Sequence, residues 1–469
     1  MRLTQKDLLQ VRHVRAIGLE YLRAITNVST DSRTIEAGDL FVALRGERFD
    51  GHDFIESVVE AKPGALIVEY AWFELKGHWL TSRNIPVLIV NNTTFALGEL
   101  ARVYRRKFRI PILAIGGSNG KTTTKEMIAQ VLREKVPVLS TEGNLNNHVG
   151  VPQTLFRLEK KHQVAVIELG TNHFGEIEYL CNILEPTHGL ITNIGREHLE
   201  FFGSVAGVAK AEGELFSWLA THKGHKAVGV VNVDDRYLRK QAEQLKKKFT
   251  YGFNGKNVDV KGSLVGYNNL MCAEIEVKPR GKKPFLVKLR IPGKHHAQNA
   301  LAAAAVGLLF KVPPAKIRGA LERFSGVAKR MQVLHFNGIT VINDTYNANP
   351  DSVIAALKTL GAMKTSGKRI AVLADMLELG DRAEEAHRSV GREVGKAGVD
   401  YLLTFGPLAR QIHETATVKF KSHYDQKNVL AEYLMELLST GDVVLVKGSR
   451  GTKMEDVVTF LQERFQRAA

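Results

Sequence analysis

Short apolar runs alternate with longer segments of mixed polarity along most of the chain. Up to residue 231, the apolar runs lie at 39–44, 65–68, 87–90, 110–115, 164–167, 188–191 and 227–231. Runs of this length are typical of strands that are buried on both faces of a parallel sheet. The segments between them, such as 94–108, have the spacing of helices. The pattern therefore predicts alternating strands and helices, which is the arrangement of an α/β protein.

Two changes in this pattern divide the chain. Between 252 and 292, Val and Leu alternate with Lys and Gly, which predicts a small antiparallel ribbon. From about residue 327 the apolar runs restart, at 339–342, 369–373, 401–404 and 443–446. We therefore predict three domains, which are a small N-terminal α/β domain at 1–90, a central domain at 91–326 on a doubly wound, mostly parallel sheet, and a C-terminal Rossmann-like α/β domain at 327–469.

Length and composition are those of a globular protein. The 469 residues suit about three domains of roughly 150 residues, and 44% of them are hydrophobic. Cys181 and Cys272 are the only cysteines, which disfavours a disulfide framework and a cysteine zinc site. We see no secretory signal, and the longest apolar stretch, 300–310, is too short to cross a bilayer. We expect a soluble, cytoplasmic protein without membrane insertion.

The charge is strongly unbalanced. The chain has 65 Lys and Arg against 49 Asp and Glu, a net charge of +16. This excess favours polyanionic partners, such as nucleic acid, an acidic membrane surface, or small substrates rich in phosphate and carboxylate. A solvated basic surface explains it equally well, so the charge alone does not identify a partner.

The strongest local signal follows the run 110–115, where a glycine-rich turn leads into a helix that starts at Lys121. Gly117 and Gly120 let backbone amides surround an anion, and the helix start adds partial positive charge. Lys121 would neutralise the β- and γ-phosphates of a nucleotide, and the Thr122 hydroxyl would bind Mg²⁺. The predicted nucleotide-binding residues of this loop are Gly117, Ser118, Asn119, Gly120, Lys121, Thr122 and Thr123.

This loop is shorter than a Walker A motif. The first glycine of that motif would fall at position 115, where this chain has Ile115. A purely structural turn is the alternative to a nucleotide site. The loop also leaves the reaction open, because kinases, hydrolases, translocases and ligases share it.

Two more polar residues lie at predicted strand ends, where open α/β sheets bind ligands. Glu168 follows the run 164–167 and is placed to hold a metal ion opposite Thr122; a helix-capping role is the alternative. His198 follows the run 188–191, and we interpret it as a metal or phosphate contact rather than a structural histidine.

Several longer strings lie in a fixed order along the chain. They are STDSR at 29–33, GDLFVAL at 38–44, GSNGKTTT at 117–124, NLNNHVGVP at 144–152, ELG at 168–170, TNIGREHL at 192–199, GKHHAQNAL at 293–301, RM at 330–331, DTYNANPDS at 344–352 and VKGSR at 446–450. Together they resemble the Mur ligases, the ATP-dependent amide-forming enzymes of peptidoglycan synthesis. The resemblance covers nearly the whole chain.

The resemblance implies a three-domain enzyme that closes over its substrates. The strings at 344–352 and 446–450 are similar to the branch that joins D-alanyl-D-alanine to UDP-N-acetylmuramoyl-tripeptide. In that reaction the tripeptide carboxylate attacks the γ-phosphate of ATP, and the dipeptide amine then displaces phosphate from the acyl phosphate. The implied cofactors are ATP and two Mg²⁺ ions. The implied partners are the two small-molecule substrates, and no nucleic acid is implied. The chain is expected to be a monomer.

The resemblance also implies roles for single residues. For catalysis these are Lys121, Glu168, His198, Lys210, Arg330 and Asp344, of which Glu168 and His198, with Thr122, would hold the metals. Beyond the loop, the implied nucleotide contacts are Asn299, Arg330, Asp344, Tyr346, Asn347 and Asn349. The implied contacts with the UDP-peptide or the dipeptide are Ser32, Arg33, Asn144, Asn147, His148, Thr171, Lys447, Ser449 and Arg450.

Two of these implied roles have alternatives, and one residue departs from the family pattern. Lys210 matches a lysine that several family members carbamylate into a metal-binding carboxylate, and an ordinary exposed lysine is the other reading. The loop before Pro350 could be a plain helix start. His296 stands where the family usually has Asn. A metal site at His295 and His296 is disfavoured, because adjacent helical residues point about 100° apart.

Other classes of protein remain possible at this point. One is a different ligase of the same superfamily, which adds amino acids to folate or to another muramoyl peptide. Another is a nucleic-acid-dependent ATPase, which only the positive charge favours, since Trp is scarce and no stacking pattern is visible. A nucleotide-binding regulator without catalysis is disfavoured by Lys121, Glu168 and His198 together.

Overall fold

A computed structural model describes residues 3–222 and 227–467. In chain order, its strands are β1 (Arg15–Ile17), β2 (Val28–Ser29), β3 (Leu40–Val42), β4 (Ala65–Glu69), β5 (Val87–Val90), β6 (Ile112–Gly116), β7 (Val138–Ser140), β8 (Val164–Glu168), β9 (His188–Ile191), β10 (Val228–Asn232), β11 (Lys248–Gly252), β12 (Val260–Tyr267), β13 (Cys272–Pro279), β14 (Phe285–Pro292), β15 (Gln332–Phe336), β16 (Ile339–Asp344), β17 (Arg369–Ala374), β18 (Tyr401–Phe405), β19 (Phe420–Tyr424) and β20 (Val443–Lys447).

The helices alternate with these strands, as the sequence predicts. They are α1 (Gln5–Leu8), α2 (Ile55–Glu60), α3 (Tyr70–Trp72), α4 (Thr93–Arg105), α5 (Lys121–Arg133), α6 (Gly150–Phe156), α7 (Glu176–Leu184), α8 (Leu199–Phe202), α9 (Val205–Thr221), α10 (Arg236–Gln241), α11 (Lys294–Leu309), α12 (Pro314–Arg323), α13 (Pro350–Ala362), α14 (Ala383–Lys396), α15 (Arg410–Thr415), α16 (Lys427–Leu437) and α17 (Glu455–Arg467).

The chain forms two compact units. The first comprises Met1–Ala114, Val136–Thr171 and Gly175–His188, and the second comprises Ile115–Lys135, Asn172–Phe174 and Gly189–Ala469. The candidate residues divide between them. The first unit holds Ser32, Arg33, Asn144, Asn147, His148, Glu168 and Thr171, and the second holds the others.

In the first unit, a five-stranded sheet has the order β1-β5-β4-β3-β2. Only the β1–β5 pair is antiparallel, and the other three pairs are parallel. Fully buried side chains of β3 and β4, including Phe41 and Leu66, form its core with α2. Further along the chain, β7 pairs in parallel with β8, and the Ala165 amide donates to the Pro111 carbonyl at the start of β6.

The second unit contains two sheets. The first has the order β14-β13-β12-β11-β10-β9, and the amide of Thr192, just after β9, donates to the carbonyl of Gly116 at the end of β6. β12, β13 and β14 pair antiparallel, so the ribbon predicted between 252 and 292 is confirmed as an extension of this sheet. Helices α5 and α11 pack against each other beside it.

The other sheet of the second unit has the order β15-β16-β20-β17-β18-β19. All of its pairs are parallel except the one between β15 and β16. Each face has its own core, since Leu445 of β20 packs on one side and its neighbours Val444 and Val446 pack on the other. β16 and β20 are parallel neighbours, so their carboxyl ends lie side by side. Seven candidate residues end these strands or lie just after them: Asp344, Tyr346, Asn347, Asn349, Lys447, Ser449 and Arg450.

The predicted α/β class with mostly parallel sheets is confirmed. Among residues 3–222 and 227–467 we find no helix with the length and hydropathy needed to cross a lipid bilayer.

Candidate functional site

The glycine-rich loop connects β6 to α5 through two residues with left-handed backbone. Gly117 has φ of 114° and Gly120 has φ of 78°. Residues other than glycine rarely adopt such positive φ angles. A Cβ on Gly117 would lie 2.3 Å from Oγ1 and 2.7 Å from the backbone nitrogen of Thr192. The sequence has glycine here because the loop lies directly against the end of β9.

The segment after β9 holds the loop in place. The amide of Ser118 donates to the Asn193 carbonyl at 2.9 Å, and the amide of Asn119 donates to Asn193 Oδ1 at 3.1 Å. The carbonyl of Asn119 accepts from Thr192 Oγ1 at 2.7 Å and from Asn193 Nδ2 at 2.8 Å. Sequence reasoning assigned no role to Thr192 or Asn193, although both belong to the TNIGREHL string.

The anion-binding amides differ from those that the glycine pattern suggests. The amide of Gly117 donates to Glu212 and those of Ser118 and Asn119 donate to Asn193, so all three have protein acceptors. By contrast, α5 begins at Lys121 without a side-chain cap. The first amides of a helix have no partner within the helix, so the start of α5 provides the donors for an anion.

Lys121 lies among oxygen atoms at this helix start. Its Nζ donates to the Gly117 carbonyl at 2.5 Å, lies 3.3 Å from Glu197 Oε2 and lies 4.0 Å from Glu212 Oε1. The side chain is 16% exposed, so the ammonium is close to the surface of the loop. Two carboxylates therefore face the cation that the sequence predicts to contact phosphate.

Glu212, on α9, lies beneath the loop and is 1% exposed. Its Oε2 accepts from the Gly117 amide at 2.6 Å, and its Oε1 has no hydrogen-bond partner among the described residues. Burial raises the pKa of this carboxyl to about 7; Lys121 opposes the shift and Glu197 adds to it. Sequence reasoning missed Glu212, because 95 residues separate it from the glycine whose amide it accepts.

Asn299, on α11, lies on the other side of the loop. Its side chain approaches Gly120 so closely that a Cβ on that glycine would lie 2.8 Å from Asn299 Oδ1. The residue is 5% exposed, and its Nδ2 has no hydrogen-bond partner within the part of the chain that the structure describes. Asn299 therefore offers an unused donor beside the phosphate loop.

Glu168 ends β8 in the first unit and is 2% exposed. Its Oε1 accepts from Asn146 Nδ2 at 2.9 Å, and its own amide donates to Thr141 Oγ1 at 3.0 Å. Its Oε2 has no hydrogen-bond partner in the described residues. The helix-capping alternative does not describe this geometry, in which a buried carboxylate is oriented by an amide and keeps one oxygen available.

His198 has left-handed backbone, with φ of 45°, and precedes α8. Its Nδ1 lies 2.7 Å from Glu378 Oε2, and its Nε2 lies 4.0 Å from Glu197 Oε2. The neighbouring His198 imidazole lowers the pKa of Glu378. The predicted contact of His198 with metal or phosphate stays a prediction.

Lys210 is on the exposed side of α9, and its Nζ lies 5.2 Å from the ring centre of Phe174. Two residues along an α-helix are about 200° apart, so Lys210 and Glu212 leave the helix in nearly opposite directions. The structure brings Glu212 to the phosphate loop and leaves Lys210 outside, in the orientation of the ordinary exposed lysine. Of our two hypotheses for Lys210, we therefore favour the unmodified lysine over the carbamylated one.

Tyr346 has an arginine on each of two neighbouring segments close to its ring. The guanidinium carbon of Arg330 lies 3.9 Å from the ring centre, and that of Arg450 lies 5.6 Å from it. Such contacts combine stacking with cation–π attraction. The structure thus brings together three residues from separate strings of the sequence, and their roles in binding stay predictions.

Asp344 and Lys447 end the neighbouring strands β16 and β20 and form a buried ion pair. Lys447 Nζ lies 2.7 Å from Asp344 Oδ2 and also donates to the Asn347 carbonyl at 2.8 Å. Lys447 is 2% exposed. Ser449 is equally buried and donates to the Ala348 carbonyl at 3.2 Å.

We expected Lys447, Ser449 and Arg450 to face a substrate, and the structure separates them. Lys447 and Ser449 direct their polar atoms at the protein's own loop, while Arg450 is exposed. A direct contact of Lys447 or Ser449 with the dipeptide would require these internal bonds to break.

Asn349 has two partners. Its Oδ1 accepts from the Ser352 amide at 2.8 Å, which caps α13, and its Nδ2 donates to Asn119 Oδ1 in the phosphate loop at 2.9 Å. The plain helix start that we considered is therefore real, but the cap also contacts the loop. Asn347 is exposed next to it.

A further ion pair joins the same regions. Arg196 donates from its backbone amide to Asp351 Oδ2 at 2.7 Å and from Nε to Asp351 Oδ1 at 2.8 Å. Neither residue was singled out from the sequence. The start of α13 is thus fastened both to the phosphate loop and to the TNIGREHL string.

In the first unit, the STDSR string forms a compact turn. Arg33 donates from Nε and Nη2 to the two oxygens of Asp31 at 2.9 and 2.6 Å, and these bonds lower the pKa of Asp31 to about 2. Ser32 is half-buried beside them. Thr30 Oγ1 accepts from Gln153 Nε2 on α6 at 2.9 Å, which connects this turn to the region of the NLNNHVGVP string.

The polar residues of the NLNNHVGVP string lie before α6. Asn144, Asn147 and His148 are exposed, and Asn147 Oδ1 accepts from the Gly150 amide at 2.9 Å. Thr171 is 7% exposed and donates to Glu176 Oε2 at 3.1 Å. The exposed side chains can meet a ligand, whereas Thr171 is held by its own unit.

The two adjacent histidines have different surroundings. His296 is buried and its Nδ1 lies 2.6 Å from the Pro292 carbonyl, while His295 is half-buried beside it. Burial lowers the pKa of His296 well below its usual value, and His295 adds to the shift. No group of three or more His, Cys, Asp or Glu side chains that could hold a metal occurs in residues 3–222 and 227–467.

A strand that ends in a glycine-rich turn, an uncapped helix start and a lysine beside it define a nucleotide-binding α/β protein of the P-loop type. Comparison with known families matches three models: "Mur ligase family, catalytic domain" at 24–105, "Mur ligase middle domain" at 115–307, and "Mur ligase, glutamate ligase domain" at 329–450.

Individual relatives agree with these matches over the whole chain. A UDP-N-acetylmuramoyl-tripeptide–D-alanyl-D-alanine ligase of Escherichia coli (strain K12) is 37% identical, over 93% of each chain. The crystal structure of MurF from Acinetobacter baumannii has a TM-score of 0.87 at 32% identity, over 99% of each chain. That of MurF from Thermotoga maritima in complex with ADP has a TM-score of 0.81 at 28% identity, over 94% of this chain and 98% of that one. The chain belongs to the Mur ligase family and has its three-domain α/β fold.

Proposed function

We propose that the chain is an ATP-dependent ligase that joins D-alanyl-D-alanine to the terminal carboxylate of UDP-N-acetylmuramoyl-tripeptide. The observation that carries this proposal is the 37% identity over 93% of both chains with a relative that bears this activity in its name. The folate ligase and the other muramoyl ligases that match this chain in structure are 15–20% identical to it, which reflects the shared fold alone.

ATP is the proposed phosphate donor. The start of α5 offers backbone amides to a phosphate, Lys121 supplies a positive charge beside it, and Asn299 has an unused donor at Gly120. The Thermotoga maritima relative is in complex with ADP, which supports nucleotide binding by this chain. The stack of Arg330, Tyr346 and Arg450 is a further surface for the nucleotide or the dipeptide.

Mg²⁺ suits the residues that are present. Mg²⁺ binds one or two carboxylates and fills its other positions with phosphate oxygens and water, so a group of three protein ligands is not required. Glu168 keeps a buried oxygen without a partner, and Thr122 lies in the first turn of α5. We propose that Thr122, Glu168 and His198 hold magnesium. Bound there, Mg²⁺ neutralises charge on the phosphates.

The chain's own residues then have to bring two anions together. Lys121 would bind the γ-phosphate while the tripeptide carboxylate attacks it, which forms an acyl phosphate and releases ADP. The dipeptide amine attacks the carbonyl carbon, phosphate leaves with the electrons of the C–O bond, and the amine loses a proton. We place Arg450 on the dipeptide side, and we assign Lys447 and Ser449 to holding the loop at 344–349.

The remaining assignments stay part of the proposal. Ser32 and Arg33 would contact the UDP group, and Asn144, Asn147, His148 and Thr171 the muramoyl peptide. We also propose domain limits of 1–90, 91–326 and 327–469. The family matches at 24–105, 115–307 and 329–450 divide the chain into the same number of parts, although the first of them extends past residue 90. We further propose a cytoplasmic monomer that acts on small molecules rather than nucleic acid.

Product formation tests the proposal directly. Purified chain is incubated with ATP, Mg²⁺ and D-alanyl-D-alanine, with and without the UDP-tripeptide, and phosphate and nucleotide-linked peptides are measured. Phosphate release should require both organic substrates and yield a UDP-pentapeptide. Lys121→Ala should abolish it, whereas Lys160→Ala, at an exposed position, should not. Phosphate release that is indifferent to the UDP-tripeptide would contradict the proposal.

A further inference from the structure

Glu212 is a buried carboxylate to which neither the sequence strings nor the proposed reaction gives a role. It lies on α9, is 1% exposed, and touches the phosphate loop from below. A Cβ on Gly116 would lie 2.5 Å from Glu212 Oε2, so the carboxylate fills the space under the glycine pair. The carboxylate is therefore part of the floor of the loop.

The charges around Glu212 are unusual for a structural position. A buried carboxylate is costly unless it is paired and hydrogen-bonded. Glu212 has one hydrogen bond, from the Gly117 amide, and its nearest cation, the ammonium of Lys121, is 4.0 Å from Oε1. A neutral side chain of the same shape would satisfy the Gly117 amide at lower cost, so an ionisable carboxyl at this position calls for an explanation beyond packing.

The position of Glu212 next to Lys121 suggests an explanation. Glu212 attracts Lys121 from beneath the loop and Glu197 attracts it from the side, with Nζ–O distances of 4.0 and 3.3 Å. A flexible lysine side chain is thereby directed to one location next to the start of α5. At the same time, the bond to the Gly117 amide fixes the turn from which Lys121 follows.

We propose that Glu212 is a positioning residue of the phosphate loop, whose carboxyl group accepts from the Gly117 amide and directs the Lys121 ammonium to the place it needs for phosphoryl transfer. This inference rests on the proposed ATP site. It assigns to Glu212 no contact with ATP, and it predicts an effect on the rate of phosphoryl transfer rather than on nucleotide affinity.

The first test separates charge from shape. Glu212→Gln keeps an oxygen that can accept from Gly117 but removes the charge, and Glu243→Gln, at an exposed position, is the control. For Glu212→Gln we expect kcat to fall roughly 10²-fold, the effect of a misplaced catalytic group, with little change in KM for ATP and no loss of Tm. A kcat like that of the control overturns the proposal, as does a fall in activity that only follows a fall in Tm.

The second test does not depend on activity. Hydrogen–deuterium exchange of the loop peptide should be faster in Glu212→Ala than in Glu243→Ala, because the Gly117 amide loses its acceptor. If the unaltered chain makes no pentapeptide and the loop of Glu212→Ala still exchanges faster, the positioning role stands and the ligase function is wrong. Normal pentapeptide synthesis by both Glu212 variants, with unchanged exchange, would do the reverse. If neither variant folds, the role is structural and the proposal is wrong.

Discussion

Lys447 and Asp344 end adjacent parallel strands, and their side chains meet in a buried ion pair of 2.7 Å. The ammonium also donates to the Asn347 carbonyl, so the pair fixes the start of the loop at 344–349. That loop carries Tyr346, which contacts Arg330, and Asn349, which contacts Asn119. One buried bond thus supports two contacts on which the proposed nucleotide site depends.

The first prediction concerns this pair. Lys447→Met removes the charge at similar volume and leaves Asp344 buried without its partner, which should lower the free energy of unfolding by about 3–5 kcal/mol. Asp425→Ala breaks the exposed pair with Arg410, whose shortest N–O distance is 3.4 Å, and should cost at most about 1 kcal/mol. Urea denaturation measures both. Equal losses in the two variants would contradict the structural role assigned to Lys447.

The sequence predicted the buried strands well and the edge strands poorly. The runs at 188–191 and 401–404 correspond to β9 and β18, because these strands are covered on both faces and must be apolar throughout. β15 and β19 form the two edges of the six-stranded sheet, are partly exposed and contain polar residues, so they have no such run. Periodicity detects burial, and an edge strand is only partly buried.

The candidate site shows the same limit. The phosphate loop could be predicted because its glycines, lysine and threonine are consecutive. Glu212 and Asp351 could not, since their partners Gly117 and Arg196 lie 95 and 155 residues away. Lys447 was interpreted as a substrate contact because it lies at a strand end, where open α/β sheets bind ligands. Only the folded structure shows that its ammonium is already paired with Asp344.

The second prediction separates the two roles of Asn349. Ser caps helices about as well as Asn, so Asn349→Ser should retain the stability of α13, but its short side chain cannot reach Asn119. Losing that hydrogen bond should raise KM for ATP roughly three- to tenfold. Asn349→Ala should show the same rise in KM and also lose about 1 kcal/mol of stability. Steady-state kinetics and thermal denaturation of the two variants provide the comparison. If Asn349→Ser has the KM of the unaltered chain, the contact with Asn119 has no role in nucleotide binding.

The third prediction concerns acid stability. His296 has a lowered pKa in the folded chain, so below about pH 6.5 the unfolded chain binds a proton that the folded chain does not. Stability should therefore fall as the pH falls, by roughly 1.4 kcal/mol per pH unit from this residue, until its folded pKa is reached. His296→Asn, which restores the usual family residue, should remove that part of the slope, and the exposed His335→Asn should not. Denaturation midpoints between pH 7 and pH 5 measure the slopes. Parallel slopes for all three proteins would rule out this role of His296.

The fourth prediction addresses carbamylation of Lys210. A carbamate needs dissolved carbon dioxide, whereas the carboxylate of Glu212 is built into the chain and already faces the loop. Lys210 is exposed, with its ammonium near Phe174. We therefore expect the ligase rate in carbon-dioxide-depleted buffer to equal the rate with added bicarbonate. A rate that rises with bicarbonate, together with a mass increase on Lys210, would show that Lys210 is carbamylated and contradict this prediction.

Transfer of oxygen from the tripeptide to phosphate tests the account most directly. The UDP-tripeptide is labelled with ¹⁸O in both oxygens of its terminal carboxylate, incubated with ATP, Mg²⁺ and D-alanyl-D-alanine, and the released phosphate is analysed by mass spectrometry. If the carboxylate attacks the γ-phosphate, each phosphate released with the pentapeptide carries one ¹⁸O. Phosphate without label would mean that ATP is cleaved without activating the peptide, and the account would be wrong.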